Sequence, residues 1–368
     1  MLTKKSKKIV VAMSGGVDSS VAAALLKEQG YQITGVTMKL WDGPDLPREG
    51  ARHGCYGPGE TEDIEDARKV ARILGIPFHV FNLKEEYKTE VLDYFRLEYL
   101  SGRTPNPCIR CNRSLKFGAL VSRIEQSGIE FDYLATGHYA RKEYDKINRR
   151  YLLKKARDLT KDQSYFIALL SQEQLGRALF PIGDYTKAEV RGLATDFGLA
   201  VAKKAESQDF IVGGYSSLLP ETAPGPILDM AGNVLGEHQR ISDYTIGQRR
   251  GLGISSQDPL FVIDIAPERN AIIVGRKEEL YRDELNVSGL NWVAIDTLLK
   301  PLEVEAKLRH RHQEADAKVS PLNDDKVHVK FREPQMAITP GQTVVFYGGD
   351  VVIGAGTIEK KGGGTWLK

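Results

Sequence analysis

The sequence predicts an α/β fold, with a parallel-sheet, Rossmann-like N-terminal domain followed by a small central module and a C-terminal β-barrel. Three observations carry this expectation. Ser14-Gly15-Gly16-Val17-Asp18-Ser19-Ser20 stands between the apolar run Ile9-Val10-Val11-Ala12-Met13 and an Ala/Leu-rich stretch over 21–26, giving a strand, a tight turn and a helix in succession. Strand and helix patterns then alternate, which implies parallel strands with flanking helices. Beyond about residue 287 the chain changes to short apolar/polar alternations at 304–308, 327–331, 343–347 and 351–358, broken by Pro and Gly, which suits a small barrel.

Taken in order, residues 31–38 read as a second strand and 61–74 as a helix, with a capping residue, an acidic first turn, and Ile64, Ala67, Val70, Ala71 and Leu74 on one face. Residues 76–83 read as a third strand. A helical stretch over 85–100 ends near Gly102, another begins after the Pro105-Asn106-Pro107 turn, and 131–136 reads as a further buried strand. Between 213 and 236 the composition shifts to Gly, Pro and small residues, with short strands following at 260–265 and 271–274. The expected domains are therefore 1–214, 215–284 and 285–368.

A length of 368 residues exceeds what one core usually serves, and 41% apolar content is ample for two or three. The 51 basic and 49 acidic residues nearly cancel to +2, so local patches decide whether an anionic polymer binds. No apolar run approaches the roughly 20 residues needed to cross a bilayer. The basic start, residues 1–8, leads into a strand and not into a signal sequence, so a cytoplasmic protein with no membrane partner is expected. Three cysteines cannot form a disulfide framework, which points to a chemical role for them.

The turn itself suits phosphate. Two adjacent glycines let successive N–H groups face one point, hydroxyls flank it, and a helix N-terminus aims partial positive charge there. The loop contains no lysine and does not match G-x-x-x-x-G-K-[ST], which directs attention away from γ-phosphate transfer. Further along, Cys108-Ile109-Arg110-Cys111 places two thiols three apart at an expected helix start, where the dipole favours thiolate. With no second C-x-x-C and no H-x-x-x-H, half a zinc site is the weaker reading. Cys55 falls in a Gly-rich loop, Gly54-Cys55-Tyr56-Gly57. Lys307 and Arg309-His310-Arg311-His312 form a basic cluster suited to phosphate contacts, and 244–253, with Gln248, Arg249 and Arg250, reads as either a basic contact or a glycine turn.

The string S-G-G-V-D-S-S resembles the PP-loop of ATP pyrophosphatases, the adenine nucleotide alpha-hydrolase-like group. With Met38, T-P-N-P-x-x-x-C-N, A-T-G-H-Y-A-R, L-x-x-x-K-D-Q-S-Y-F, Y-T-I-G-Q-R-R-G-L-G and T-P-G-Q, in that order along nearly the whole chain, it resembles the tRNA 2-thiouridylases, the MnmA/TrmU family. The resemblance implies a sulfurtransferase. ATP would adenylate O2 of the wobble uridine in tRNAs for Lys, Glu and Gln, a sulfur species would then displace AMP, and the target base would be flipped out.

By position match, Ala12, Met13, Ser14, Gly15, Gly16, Val17, Asp18, Ser19, Met38 and Gly137 would hold ATP, with Asp18 placing Mg²⁺. Asn106, Pro107 and Cys108 would border the base, Cys111 and Cys108 would be catalytic, and His138, Lys161, Asp162, Gln163, Arg309, His310 and Gln342 would meet tRNA, the plainer alternative for these last seven being an ordinary solvated surface. The chain departs from the commoner pattern at Cys108, where many members have Asp, and at Phe210, where they have a second catalytic cysteine.

Two sulfur routes stay open at this point: a Cys108/Cys111 persulfide and disulfide pair, or a 4Fe-4S cluster on Cys55, Cys108 and Cys111. The donor would be a cysteine desulfurase, a sulfur-relay protein or free sulfide. The competing functions are a PP-loop ligase acting on a small acid and an inactive tRNA-binding relative.

Overall fold

The computed structural model describes residues 7–41, 43, 54–204, 209–211, 218–323 and 325–360. The chain forms two compact units, one of Met1–Val91, Pro107–Gly214 and Asp350–Val352, the other of Leu92–Asn106, Tyr215–Gly349 and Ile353–Lys368. The boundary expected after residue 214 and the Gly362-Gly363-Gly364 turn lie outside the described residues.

Along the chain run β1 (Lys8–Ala12), α1 (Val17–Glu28), β2 (Gln32–Lys39), β3 (Gly54–Tyr56), α2 (Glu60–Leu74), β4 (Phe78–Asn82) and α3 (Lys84–Tyr87). A π-helical segment, Lys88–Asp93, joins α3 to α4 (Tyr94–Leu100), and another, Cys111–Ala119, joins α5 (Pro107–Arg110) to α6 (Leu120–Gln126). β5 (Tyr133–Thr136), the hairpin β6 (Ala140–Asp145) and β7 (Arg150–Lys155), α7 (Ser164–Ile167), α8 (Gln172–Arg177), β8 (Ala178–Leu179), α9 (Lys187–Asp196) and β9 (Asp209–Ile211) follow.

Five of these strands make a parallel sheet in the order β4-β2-β1-β5-β8, so the alternation in the sequence has the expected consequence. β1 is buried on both faces, with Ile9, Val10 and Val11 closed off from solvent, because helices cover both sides of such a sheet. Val21 to Ala24 of α1, Ala67, Val70 and Leu74 of α2, and Val190 and Ala194 of α9 share one core. Chain order reverses at β1: β2 and β4 lie to one side, β5 and β8 to the other. The crevice at the carboxyl ends of β1 and β5 is therefore the switch point where such sheets bind ligands.

Two local expectations change. The capping side chain expected at the 61–74 helix is replaced by Gly59 in the left-handed region (φ 95°), while Glu60 turns back to accept the Leu40 and Trp41 amides at 2.6 and 3.1 Å. The loop expected around Cys55 is strand β3, paired in parallel with β9, Gly54 opposite Asp209 and Tyr56 opposite Ile211. No local pattern announces a pairing between segments so distant in sequence.

In the second unit β10 (Gly225–Leu228), β11 (Val234–His238), β12 (Phe261–Ala266) and β13 (Ala271–Gly275) form a sheet in the order β11-β10-β13-β12. β14 (Tyr281–Trp292), β15 (Leu302–Lys307), β16 (Ala315–Asn323), β17 (Lys326–Met336), β18 (Thr343–Gly348) and β19 (Val351–Ile358) follow. Their order is β14-β17-β16-β15-β18-β19, and β19 pairs back on β14, Val287 opposite Ile358. The expected barrel is thus closed with six strands. It encloses Val287, Val304, Ala306, Val319, Val329, Phe331 and Phe346, the inward positions of alternating strands.

Candidate functional site

Ala12, the last residue of β1, stands opposite Thr136 at the end of β5, and the chain turns at 13–16 into α1. Gly15 has φ +72°, and a Cβ there would overlap the Asp63 carbonyl. Gly137 approaches as closely from β5, where a Cβ would lie 2.5 Å from Ser19 N. Both glycines are required by backbone contact. Ser14 N–H donates to Ser19 Oγ at 3.1 Å and Ser20 Oγ donates to the Gly16 carbonyl at 2.7 Å, fixing the turn. Gly16 caps α1 with no side chain across its first amides. This is a cradle for an anion at a helix N-terminus. Met38 is half-buried near the end of the neighbouring β2.

Asp18, in the first turn of α1, accepts Lys187 Nζ at 2.8 and 2.9 Å on its two oxygens, and Tyr139 Oη donates to it at 2.9 Å. Neither partner is apparent from motif spacing. The signal for Lys187 was the Thr186-x-x-Glu189 capping box, which starts α9 at that residue. Asp63, whose carbonyl faces Gly15, pairs with Lys204 at 2.8 Å, and Lys204 also holds Asp66 at 2.6 Å.

The three cysteines form a second grouping in the same unit. Cys108 and Cys111 are half-buried in and just after α5, and Cys55 is exposed on β3; no disulfide joins them. The charged forms of all three act on Tyr87, raising its hydroxyl's pKa beyond the large upward push of burial. Tyr87 stacks on Tyr56 with centroids 4.8 Å apart. Burial pushes Cys111 up to about 11, partly opposed by Lys116, and Cys55 is raised by the surrounding protein and lowered by the same lysine. The thiolate expected from the helix dipole is thus overturned for Cys111, because desolvation outweighs it. At neutral pH the Cys111 sulfur carries its proton. Across β3 and β9, the register sets Cys55 beside position 210, where the chain has Phe.

The residues matched by resemblance to tRNA contact differ in exposure, and a solvated surface does not describe all of them. His138 is 7% exposed, bonds Thr136 Oγ1 through Nδ1 at 2.8 Å, and is kept neutral by burial and by Lys116. Asp162 is buried and spent on the Ala156 amide and the Ser164 hydroxyl, at 2.9 and 2.7 Å, and Gln163 Oε1 accepts the Tyr139 amide at 2.9 Å. These two brace a loop because its backbone amides need acceptors. Lys161 beside them is half-buried. In the second unit Gln342 Nε2 donates to the Thr104 and Pro105 carbonyls at 2.9 and 3.1 Å, holding the turn that ends at Asn106, the residue before α5 opens at Pro107. Arg309 and His310 lie in the turn between β15 and β16, His310 exposed, and Arg249 and Arg250 are exposed as well.

A family model described as a tRNA methyl transferase HUP domain matches residues 7–212, its companion PRC-barrel domain 216–276, and an aminomethyltransferase β-barrel domain 282–358. The tRNA-specific 2-thiouridylase MnmA 1 of Caldanaerobacter subterraneus subsp. tengcongensis is 50% identical over 97% of this chain and 99% of its own. The chain belongs to the MnmA family. The MnmA of Moorella thermoacetica is 51% identical over 95% of this chain and 99% of its own. Among solved structures, a 4-thiouridine synthetase–RNA complex with bound ATP aligns with 55% of this chain and 44% of that one, at 18% identity and a TM-score of 0.35.

Proposed function

We propose that this chain is an ATP-dependent tRNA 2-thiouridylase. The observation that carries the reading is the sharing of one α/β unit by a phosphate cradle at the β1/β5 switch point and by the cysteines grouped about Tyr87, in a chain about 50% identical over nearly its full length to proteins named for that activity. The uridine O2 attacks the α-phosphate and pyrophosphate leaves. A sulfur nucleophile then adds to C2 and AMP leaves. The cradle amides, Ser14 and Ser19 bind and orient the phosphates, and Gly137, lacking a Cβ, lets the end of β5 lie against the Ser19 amide. A magnesium ion, when bound, neutralises phosphate charge, and Asp18 is the carboxylate that would hold it.

For the sulfur step we favour the Cys108/Cys111 pair. Spaced three apart on one helical stretch, they can close a disulfide without large backbone movement. One cysteine accepts sulfane sulfur from the persulfide of an external donor such as a cysteine desulfurase, whose own thiol is regenerated, and the persulfide so formed attacks C2 through its outer sulfur. The other thiolate then attacks the sulfur that remains bound to protein, releasing 2-thiouridine and leaving a disulfide for an external dithiol to reduce. Among the described residues no group of three His, Cys, Asp or Glu side chains is arranged to hold a metal ion, and no step is routed through iron. Lys161, Arg309 and His310 are the side chains we assign to tRNA phosphate, with Asp162 and Gln163 bracing the loop beside Lys161 and Gln342 bracing the turn before α5.

The test uses anaerobically purified full-length protein with ATP, magnesium, a dithiol, unmodified tRNA and a cysteine desulfurase with cysteine as the persulfide donor, in parallel with free sulfide, reading pyrophosphate, 2-thiouridine and iron per chain. Thiolation by iron-free protein is expected. Pyrophosphate release driven by a small acid without tRNA would make it a ligase. About four irons per chain, with activity lost on chelation, would replace the persulfide route with a cluster on Cys55, Cys108 and Cys111.

A further inference from the structure

The phosphate cradle has a charge problem that its own sequence does not solve. Residues 14–20 include no lysine or arginine, and their single ionisable side chain, Asp18, is an anion in the first turn of α1. A polyphosphate entering beside that carboxylate meets repulsion in a partly desolvated site, where Coulomb forces are strong. The fold brings a cation onto that carboxylate: Lys187, 12% exposed, with Nζ 2.8 and 2.9 Å from the two Asp18 oxygens.

The way Lys187 is mounted separates a fixed stem from a mobile head. Its backbone sits at the start of α9, where Thr186 and Glu189 cap each other and the Lys187 amide donates to Asp158 Oδ2 at 3.1 Å. Val190 and Ala194, one and two turns on, are locked in the core shared with α1. Beyond Cβ the chain is a flexible four-carbon stem carrying a point charge, and its Nζ also lies 5.6 Å from the centre of the Tyr139 ring. The ammonium can therefore swing from Asp18 to an adjacent phosphate while the helix stays in place. A half-hidden pair serving stability alone is commonly replaced by apolar residues with little loss, so its position at the cradle needs another reason.

We propose that Lys187 is the phosphate-binding cation the loop lacks: Asp18 holds it when ATP is absent and yields it to the triphosphate when ATP binds, which leaves the Asp18 carboxylate available to magnesium. This inference rests on the ATP-dependent reading above. It is tested without tRNA or sulfur, so the two can fail separately.

The measurement is calorimetric binding of ATP and of adenosine to the full-length protein, its Lys187→Met and Lys187→Arg variants, and Asp18→Asn, each with magnesium and with EDTA. Lys187→Met is expected to weaken ATP at least tenfold and leave adenosine within twofold, with Lys187→Arg recovering most of the loss. Asp18→Asn is expected to bind ATP more tightly than the parent in EDTA, because no carboxylate competes for the lysine, and more weakly in magnesium. Unchanged ATP affinity in Lys187→Met, with only a lower melting temperature, would mean a purely structural pair and overturn the inference. Equal loss of ATP and adenosine would do the same. A parent protein that binds no ATP would overturn the functional reading and this inference with it.

Discussion

The phosphate cradle and the cysteine grouping sit in the same α/β unit and treat charge in opposite ways. At the cradle, backbone amides and a helix N-terminus gather partial positive charge, and Lys187 offsets the Asp18 carboxylate beside them. Around Tyr87, burial dominates and Lys116 offsets only part of it, so Cys111 is held protonated at neutral pH. The difference teaches that one region gathers charge while the other suppresses it, so a thiol in the second stays protonated at neutral pH. A nucleophile kept as thiol is protected from oxidants, and it becomes reactive when its proton is removed.

The largest effect that would break this contrast is at Gly15. Gly15→Ala needs a left-handed alanine costing about 1–3 kcal/mol and a Cβ in the Asp63 carbonyl. tRNA-dependent pyrophosphate release should fall about a hundredfold, because relieving the clash moves the turn's amides away from the phosphates they would hold. Release within tenfold of the parent would show the cradle to be more pliable than described. Next, Cys111→Ser should abolish 2-thiouridine while sparing pyrophosphate release, separating the two regions chemically. Equal loss of both activities would mean the thiol group also shapes the cradle.

Smaller effects sharpen the electrostatic side. Alkylation of Cys111 should quicken about tenfold per pH unit from 7 towards its pKa of about 11, because only the thiolate reacts. Lys116→Ala removes a charge that lowers Cys111 and Cys55, so both should alkylate more slowly at pH 8, as peptide mass spectrometry would read. Faster alkylation would remove Lys116 from the account. The smallest effect concerns His138, whose pKa is depressed by burial and then by Lys116. The unfolded chain binds a proton there more readily, so folding stability should decline as pH falls below about 6.5, by up to about 1.4 kcal/mol per unit. His138→Gln should flatten the melting temperature between pH 5 and 6.5, and an unchanged slope would assign it to other groups.

Legibility differed by region for a physical reason. The cradle was readable because its parts are contiguous: strand, two glycines, hydroxyls and helix start follow one another in 9–26. The barrel was readable as a class because inward residues alternate, yet β14 and β16 escaped notice, their faces crowded with charged and half-buried residues. The thiol grouping was half legible. Cys108 and Cys111 are neighbours on one helical stretch, while Cys55 reaches them only through β3 and its pairing with β9. His138 and Asp162 resemble surface residues in composition, and only their burial shows otherwise.

By itself the sequence determined the α/β unit and its phosphate turn, the presence of a barrel, and the chemistry its motifs offer, because periodicity, glycine placement and residue type are local properties. Tertiary structure alone decided that Lys187 would face Asp18, that Tyr87 would stand among three thiols, and that Cys111 would keep its proton. Those outcomes depend on which distant segments pack together and how much water they exclude, and neither is written in any single stretch of the chain.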